Sequence, residues 1–147
     1  MKIEYSPIGI VHTPFKGLSE IPIQPSKGKG IQGTVVLFPE FQEALADLNG
    51  FSHIVLLCHF HMTSEPQLGV IPSGETKQRG LFSTRSPNRP NPIGLSIVRL
   101  IQIRGNVLTI SDLDILDGTP VLDIKPYYRE SQITESLRTG WMDESTF

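Results

Sequence analysis

Short apolar runs and apolar–polar alternation, not a helical period, dominate this chain. They predict strands over residues 5–13, 33–38, 52–61, 80–83, 95–104, 106–112 and 121–125. Arg104-Gly105-Asn106 falls between two β-rich runs and reads as a tight hairpin. One segment, PEFQEALADLNG at 39–50, carries a helical pattern instead. Pro39 suits its first turn, and Glu40 and Glu43 favour its positive end. Phe41, Ala44, Leu45 and Leu48 form an apolar stripe, and Asn49-Gly50 is the stop. A single short helix among seven short strands predicts a mainly β protein, a small antiparallel β-barrel or a strongly bent sheet. No glycine fingerprint follows a first strand and no βαβ alternation occurs, so the fold is not Rossmann-like. Residues 1–147 read as one domain, with the part after about residue 128 either a strand-like arm or a tail.

Composition narrows the class. With 38% hydrophobic and 19% charged residues in 147, the chain can bury a real core. No apolar run approaches the roughly 20 residues that cross a bilayer, so no membrane is expected. MKIEYSPIGI has no signal-peptide core, and the single cysteine, Cys58, cannot form an internal disulfide. Both features point to the cytoplasm. The net charge of −2 gives no global attraction for a polyanion. Its distribution is uneven, however. Between Thr76 and Ser111 stand Lys77, Arg79, Arg85, Arg89, Arg99 and Arg104 with no acid, and then come Asp112, Asp114, Asp117 and Asp123. Chance segregation on solvated surfaces and a cationic face beside an acidic pocket are the two readings.

The stretch TRSPNRPNPIG, residues 84–94, can be neither helix nor central strand. Pro87, Pro90 and Pro92 fix their own φ and bias Ser86, Arg89 and Asn91 toward extended geometry. Ordering such a segment costs little entropy, so it is a stiff rail for Arg85 and Arg89. Gly94 leaves room for a backbone or ligand. A planar guanidinium on a rigid loop suits a phosphate or carboxylate, although a surface ion pair remains open.

Other candidates flank it. VHTPF and the proline-stiffened PIQP are either surface turns or a binding edge in which the Gln24 amide both donates and accepts. In HIVLLCHFHMTSEP, alternation places His59 and His61 on one face and Cys58 on the other. Zinc needs further ligands that are not nearby, so no metal is expected, and a polar pocket lining competes with plain packing. In SDLDILDGTPVLDIKPY, Asp112 and Asp114 should share a face opposite Leu113 and Ile115, with Asp117 opening a turn.

Taken in order, VHTPF, PIQP, LFSTRSPNRPNPIGLS and DLDILDGTPVLDIKPY resemble the TsaA-like (YaeB/TrmO) family over residues 5 to about 128. The resemblance implies a homodimeric β-barrel methyltransferase that uses S-adenosyl-L-methionine and acts on tRNA. It implies methylation at N6 of threonylcarbamoyl-adenosine beside the anticodon, at position 37. Cofactor-binding positions then carry over onto Pro22, Ile23, Gln24, His61, Met62, Arg85, Leu95, Asp114, Ile115, Leu116 and Asp117. Longer members bear a carboxy-terminal domain that has no counterpart in this sequence.

Methyl transfer from a sulfonium asks mainly for alignment and exclusion of water. The N6 lone pair is delocalised, so a general base is expected, with Asp123 and His61 as the catalytic candidates. Arg89, Lys77 and Arg79 are assigned to RNA phosphates. The whole scheme requires Arg85 and Asp117 to meet at one cleft. Two other readings stay open: a non-catalytic S-adenosylmethionine or nucleotide-binding module, and a tRNA-binding protein that needs no cofactor.

Overall fold

Six strands close into an antiparallel barrel: β1 (Gly9–His12), β2 (Gln32–Leu37), β3 (His53–His59), β6 (Ile93–Arg104), β7 (Val107–Ser111) and β8 (Pro120–Pro126). The order around it is β1-β2-β7-β6-β3-β8, with β8 returning to β1. A separate two-stranded ribbon, β4 (Gly69–Val70) with β5 (Arg79–Gly80), stands outside the barrel. The computed structural model describes residues 1–23, 25–129 and 136–144. Gln24 lies outside them, as do residues 130–135 and 145–147 of the expected C-terminal arm; a 3-10 turn, Gly140–Glu144, is described within it.

Period-2 alternation fills the lumen. Val11, Val35, Ile54, Leu56, Val98, Leu108, Ile110 and Val121 all point inward and are fully buried. The hairpin between β6 and β7 is as tight as expected, with Gly105 at φ 59° and Arg104 opposite Val107. Asn106 then bonds to the end of β2 through its Nδ2 to the Leu37 carbonyl, 2.7 Å.

Three local expectations are corrected. Residues 80–83 are not one strand: Gly80 ends β5, and Leu81–Ser83 form a 3-10 turn. There the Ser83 and Thr84 hydroxyls donate to the Gly80 and Leu81 carbonyls, 2.8 and 2.7 Å, in place of ladder bonds. The helix at 39–50 is of 3-10 type, Pro39–Leu45 then Leu48–Gly50, broken at Asp47 with φ 68°. Three residues per turn cannot follow a 3.6-residue stripe, so Leu45 is buried while Phe41 stays 38% exposed. Finally, β3 stops at His59, and His61 falls in the loop beyond it: the Phe60 amide still donates to Pro92 O at 2.7 Å, but Pro92 has no amide to return the bond.

Gly33 of β2 sits against the His12 carbonyl of β1, where a methyl group would collide with backbone. Gly33→Ala is expected to cost about 1–3 kcal/mol through overpacking, read as a lower urea midpoint with an unchanged slope.

Candidate functional site

The segment from Asp112 to Thr119 crosses one end of the barrel, and its geometry decides which acids face solvent. Asp112 leaves β7 with φ 68°, a left-handed conformation that aspartate tolerates, and its Oδ1 accepts the Gly30 amide at 2.8 Å. Leu113 and Ile115 then plug the core, leaving Asp114 exposed. Asp114 accepts a hydrogen bond from the Ser96 hydroxyl at 2.9 Å. The predicted opposition of acids and apolar residues holds for Asp114, but across a loop and not along a strand.

VHTPF holds this loop in place. The buried Thr13 hydroxyl donates to Ile115 O at 2.8 Å, and the Gly118 amide donates to Val11 O at 2.8 Å. The Thr13 amide donates to Asp117 Oδ1 at 2.9 Å, and Lys16 Nζ lies 2.9 Å from Oδ2. The Lys16 and Thr13 hydrogen bonds, in that order, hold the Asp117 carboxyl below the ordinary aspartate value, against a smaller opposing effect of desolvation.

The proline rail supplies the facing wall. Arg89 Nη1 donates to the carbonyls of Thr84 and Ser86, both at 3.0 Å, and its guanidinium lies 5.7 Å from the Phe82 ring centroid. Much of the guanidinium expected to bind RNA thus braces its own loop. Asn88 Oδ1 accepts the Ser64 amide at 2.9 Å, which ties the rail to the loop after β3. Arg85 is exposed.

Between these walls lies a cleft of about 540 Å³. Of the sequence-predicted positions it gathers Pro22, Ile23, His61, Met62, Arg85, Asp114, Ile115 and Leu116. An adjoining hollow of about 500 Å³ shares Arg85, Asp114, Pro22 and Ile23 and adds Leu95 and Arg89. Phe60 lines both, its ring packed on the Gly94 backbone where a Cβ would clash. The space that the sequence reading allotted to a backbone or ligand at Gly94 belongs to that ring.

Several expected residues are not brought together there. Asp117 lines neither hollow, since its carboxylate turns to Thr13 and Lys16; the acid that shares a cleft with Arg85 is Asp114. Asp123 opens into a separate apolar pocket of about 320 Å³ with Ile8, Phe41 and Leu48. There it pairs with Lys125 at 2.8 Å. Lys77 and Arg79 lie on or beside β5, outside both hollows, with Arg79 over the Trp141 ring at 5.2 Å. Cys58 is buried, and desolvation first and Asp114's charge second push its thiol up to about 12, so it is no nucleophile. Phe60 and Ser96 were missed. The only available signal was Gly94 inside a strand, which marks close approach by some neighbour without naming it.

Residues 10–132 match the family described as the tRNA-methyltransferase O N-terminal domain. The chain belongs to this family. A probable S-adenosyl-L-methionine-binding protein of Pyrococcus abyssi is 52% identical, over 99% of this chain and 79% of that protein. The tRNA (adenine(37)-N6)-methyltransferase of Escherichia coli is 37% identical, over 84% of this chain and 57% of the enzyme. The crystal structure of TrmO from Pseudomonas aeruginosa superposes with a TM-score of 0.81 at 39% identity, covering 97% of this chain and 64% of that one. The chain therefore spans less than two thirds of the length of those last two proteins.

Because Asp117's folded value is depressed, its stabilisation is present above the ordinary aspartate range and lost as pH falls through the folded value. Asp117→Asn is expected to lower the neutral-pH urea midpoint and to flatten its decline on acidification, measured across a pH series.

Proposed function

We propose that this chain is an S-adenosyl-L-methionine-dependent methyltransferase that acts on N6 of the adenosine beside the anticodon of tRNA, as threonylcarbamoyl-adenosine at position 37. The observation that carries the reading is the cleft where Arg85 and Asp114 converge with Ile23, Phe60, Met62 and Leu116. Its volume of about 540 Å³ suits a nucleoside-sized ligand. The donor set fits the cofactor: apolar walls for the adenine faces and methylene chain, an exposed carboxylate for a ribose diol or an ammonium, and a guanidinium for a carboxylate. When bound, the cofactor supplies an activated methyl group on a positively charged sulfur.

The chain's own residues do the rest. Arg85, on a rail already braced by Arg89, orients a carboxylate with little entropy left to lose. Asp114, aimed by Ser96, contributes negative charge to the cleft. Phe60 and Met62 give the cleft apolar wall, against which a bound cofactor would be shielded from water. His61 lines the cleft and is assigned as the proton acceptor for N6; Asp123, in its separate pocket, is not. The activity is proposed to operate in the cytoplasm, where tRNA is found.

With labelled cofactor and unfractionated tRNA, nucleoside digestion should recover label in N6-methylated threonylcarbamoyl-adenosine. Cofactor binding without transfer would support the binding-module reading instead, and salt-sensitive RNA binding indifferent to cofactor the third. In single-turnover assays His61→Ala should slow transfer about a hundredfold or more, and Asp123→Asn by no more than a few fold.

A homodimer is part of the proposal. The outer face of β6 exposes Ile93, Leu95 and Ile97, each 43–53% accessible, beside Val55 and Leu57 of β3, and the exposed Arg99 ends the apolar run. A contiguous apolar patch of this kind is characteristic of an interface. Because Leu95 also lines the second hollow, a partner seated there would wall the site. Sedimentation should give twice the chain mass, and Ile97→Glu should give the chain mass alone.

A further inference from the structure

The turn Leu81–Ser83 presents an aromatic side chain that nothing above uses. Leu81 is buried, and its amide donates to Leu68 O at 2.9 Å, which anchors the turn. Phe82, the next residue, is 78% exposed. The ring is thus displayed from a fixed turn, and its surroundings point to the kind of partner it fits. The Arg89 guanidinium stands 5.7 Å from the ring centroid and also lines the hollow shared by Arg85 and Asp114. On the other side of the turn, Trp141 Nε1 donates to Ser83 O at 2.8 Å and carries Arg79 over its own ring at 5.2 Å. The turn is thus bordered by arginine–aromatic pairs and pinned from the C-terminal segment.

Aromatic faces interleaved with cations are the chemistry of unpaired RNA. Bases stack on rings whatever their identity, and guanidiniums meet the backbone phosphates. A duplex presents no free base face, so such a surface selects loops. We propose that Phe82 is a stacking platform for an unpaired nucleobase of the substrate's loop, with Arg89 and Arg79 as its cationic borders and Trp141 holding the turn in position. The assignment rests on the tRNA reading above and deepens it. It places the RNA loop on the rim formed by residues 79–89, leading by way of Arg89 into the hollow that adjoins the cleft.

The test uses the full chain and two fluorescent RNAs of equal charge, an anticodon stem-loop and a fully paired duplex. Phe82→Ala should weaken the stem-loop about tenfold or more. It should leave the duplex and S-adenosylhomocysteine affinities within about twofold, and leave the salt slope of RNA binding unchanged because no charge is lost. Phe82→Trp should restore binding. Arg79→Ala should instead reduce the salt slope. Equal stem-loop binding by wild type and Phe82→Ala would overturn the platform, as would equal loss on duplex and loop. A change in sedimentation mass on Phe82→Ala would also overturn it, assigning the ring to a second copy of the chain. If the wild-type protein neither methylates tRNA nor binds RNA, the tRNA reading itself fails and the platform falls with it; wild-type transfer with an indifferent Phe82 overturns the platform alone.

Discussion

The Thr13 hydroxyl, buried and bonded to Ile115 O at 2.8 Å, ties the end of β1 to the segment that caps the barrel. Two chain stretches a hundred residues apart are held there with Leu113 and Ile115 in the core, and the pairing leaves Asp114 facing the cleft. Asp117, an acid of the same chemistry only three positions on, belongs to the same lacing and not to the cleft. A buried hydroxyl without its acceptor costs more than the bond itself contributes. Loss of this one contact would therefore weaken the lacing, leaving the Gly118–Val11 and Thr13–Asp117 bonds to hold the loop that turns one carboxylate out and one in.

The opposite wall is made stiff by different means. Its prolines restrict the unfolded chain, and Arg89 closes the loop on itself with two hydrogen bonds to main-chain carbonyls. One arginine is given to structure so that another, Arg85, can be presented in a defined place. The two walls meet over Phe60, whose ring needs the missing side chain of Gly94. Strand, rail and capping segment thus converge on a floor only a glycine permits.

Legibility in the sequence followed the range of the interaction. The barrel strands were readable because alternation is local and the lumen accepts only one face of each strand. β6 shows the limit: Val98 and Leu100 are buried while Ile97 and Ile101 are exposed, and a run of apolar residues cannot say which face is inside. The type of the 39–50 turns was hidden because backbone geometry at Ala46 and Asp47 overrides propensity. Of the positions that the resemblance assigned to a cofactor, eight line one cleft, because loops far apart in sequence carry them to the same end of the barrel. Asp114 and Asp117 could not be told apart, since what separates them is a partner at position 13.

These distinctions bear on how charge works in a protein whose net charge is only −2. A polyanion is not drawn in by a global field, so recognition has to be concentrated where cations are held without acids nearby. The residues between Thr76 and Ser111 meet that condition in sequence, yet the fold divides them among tasks. Arg99 lies 3.8 Å from Asp112, Arg89 braces the rail, Arg79 sits on Trp141, and Arg85 reaches the cleft. Under the tRNA reading, phosphate contacts fall to the few cations at the rim, and part of the affinity must come from contacts insensitive to salt. Exposed aromatic faces are the contacts of that kind that this surface presents.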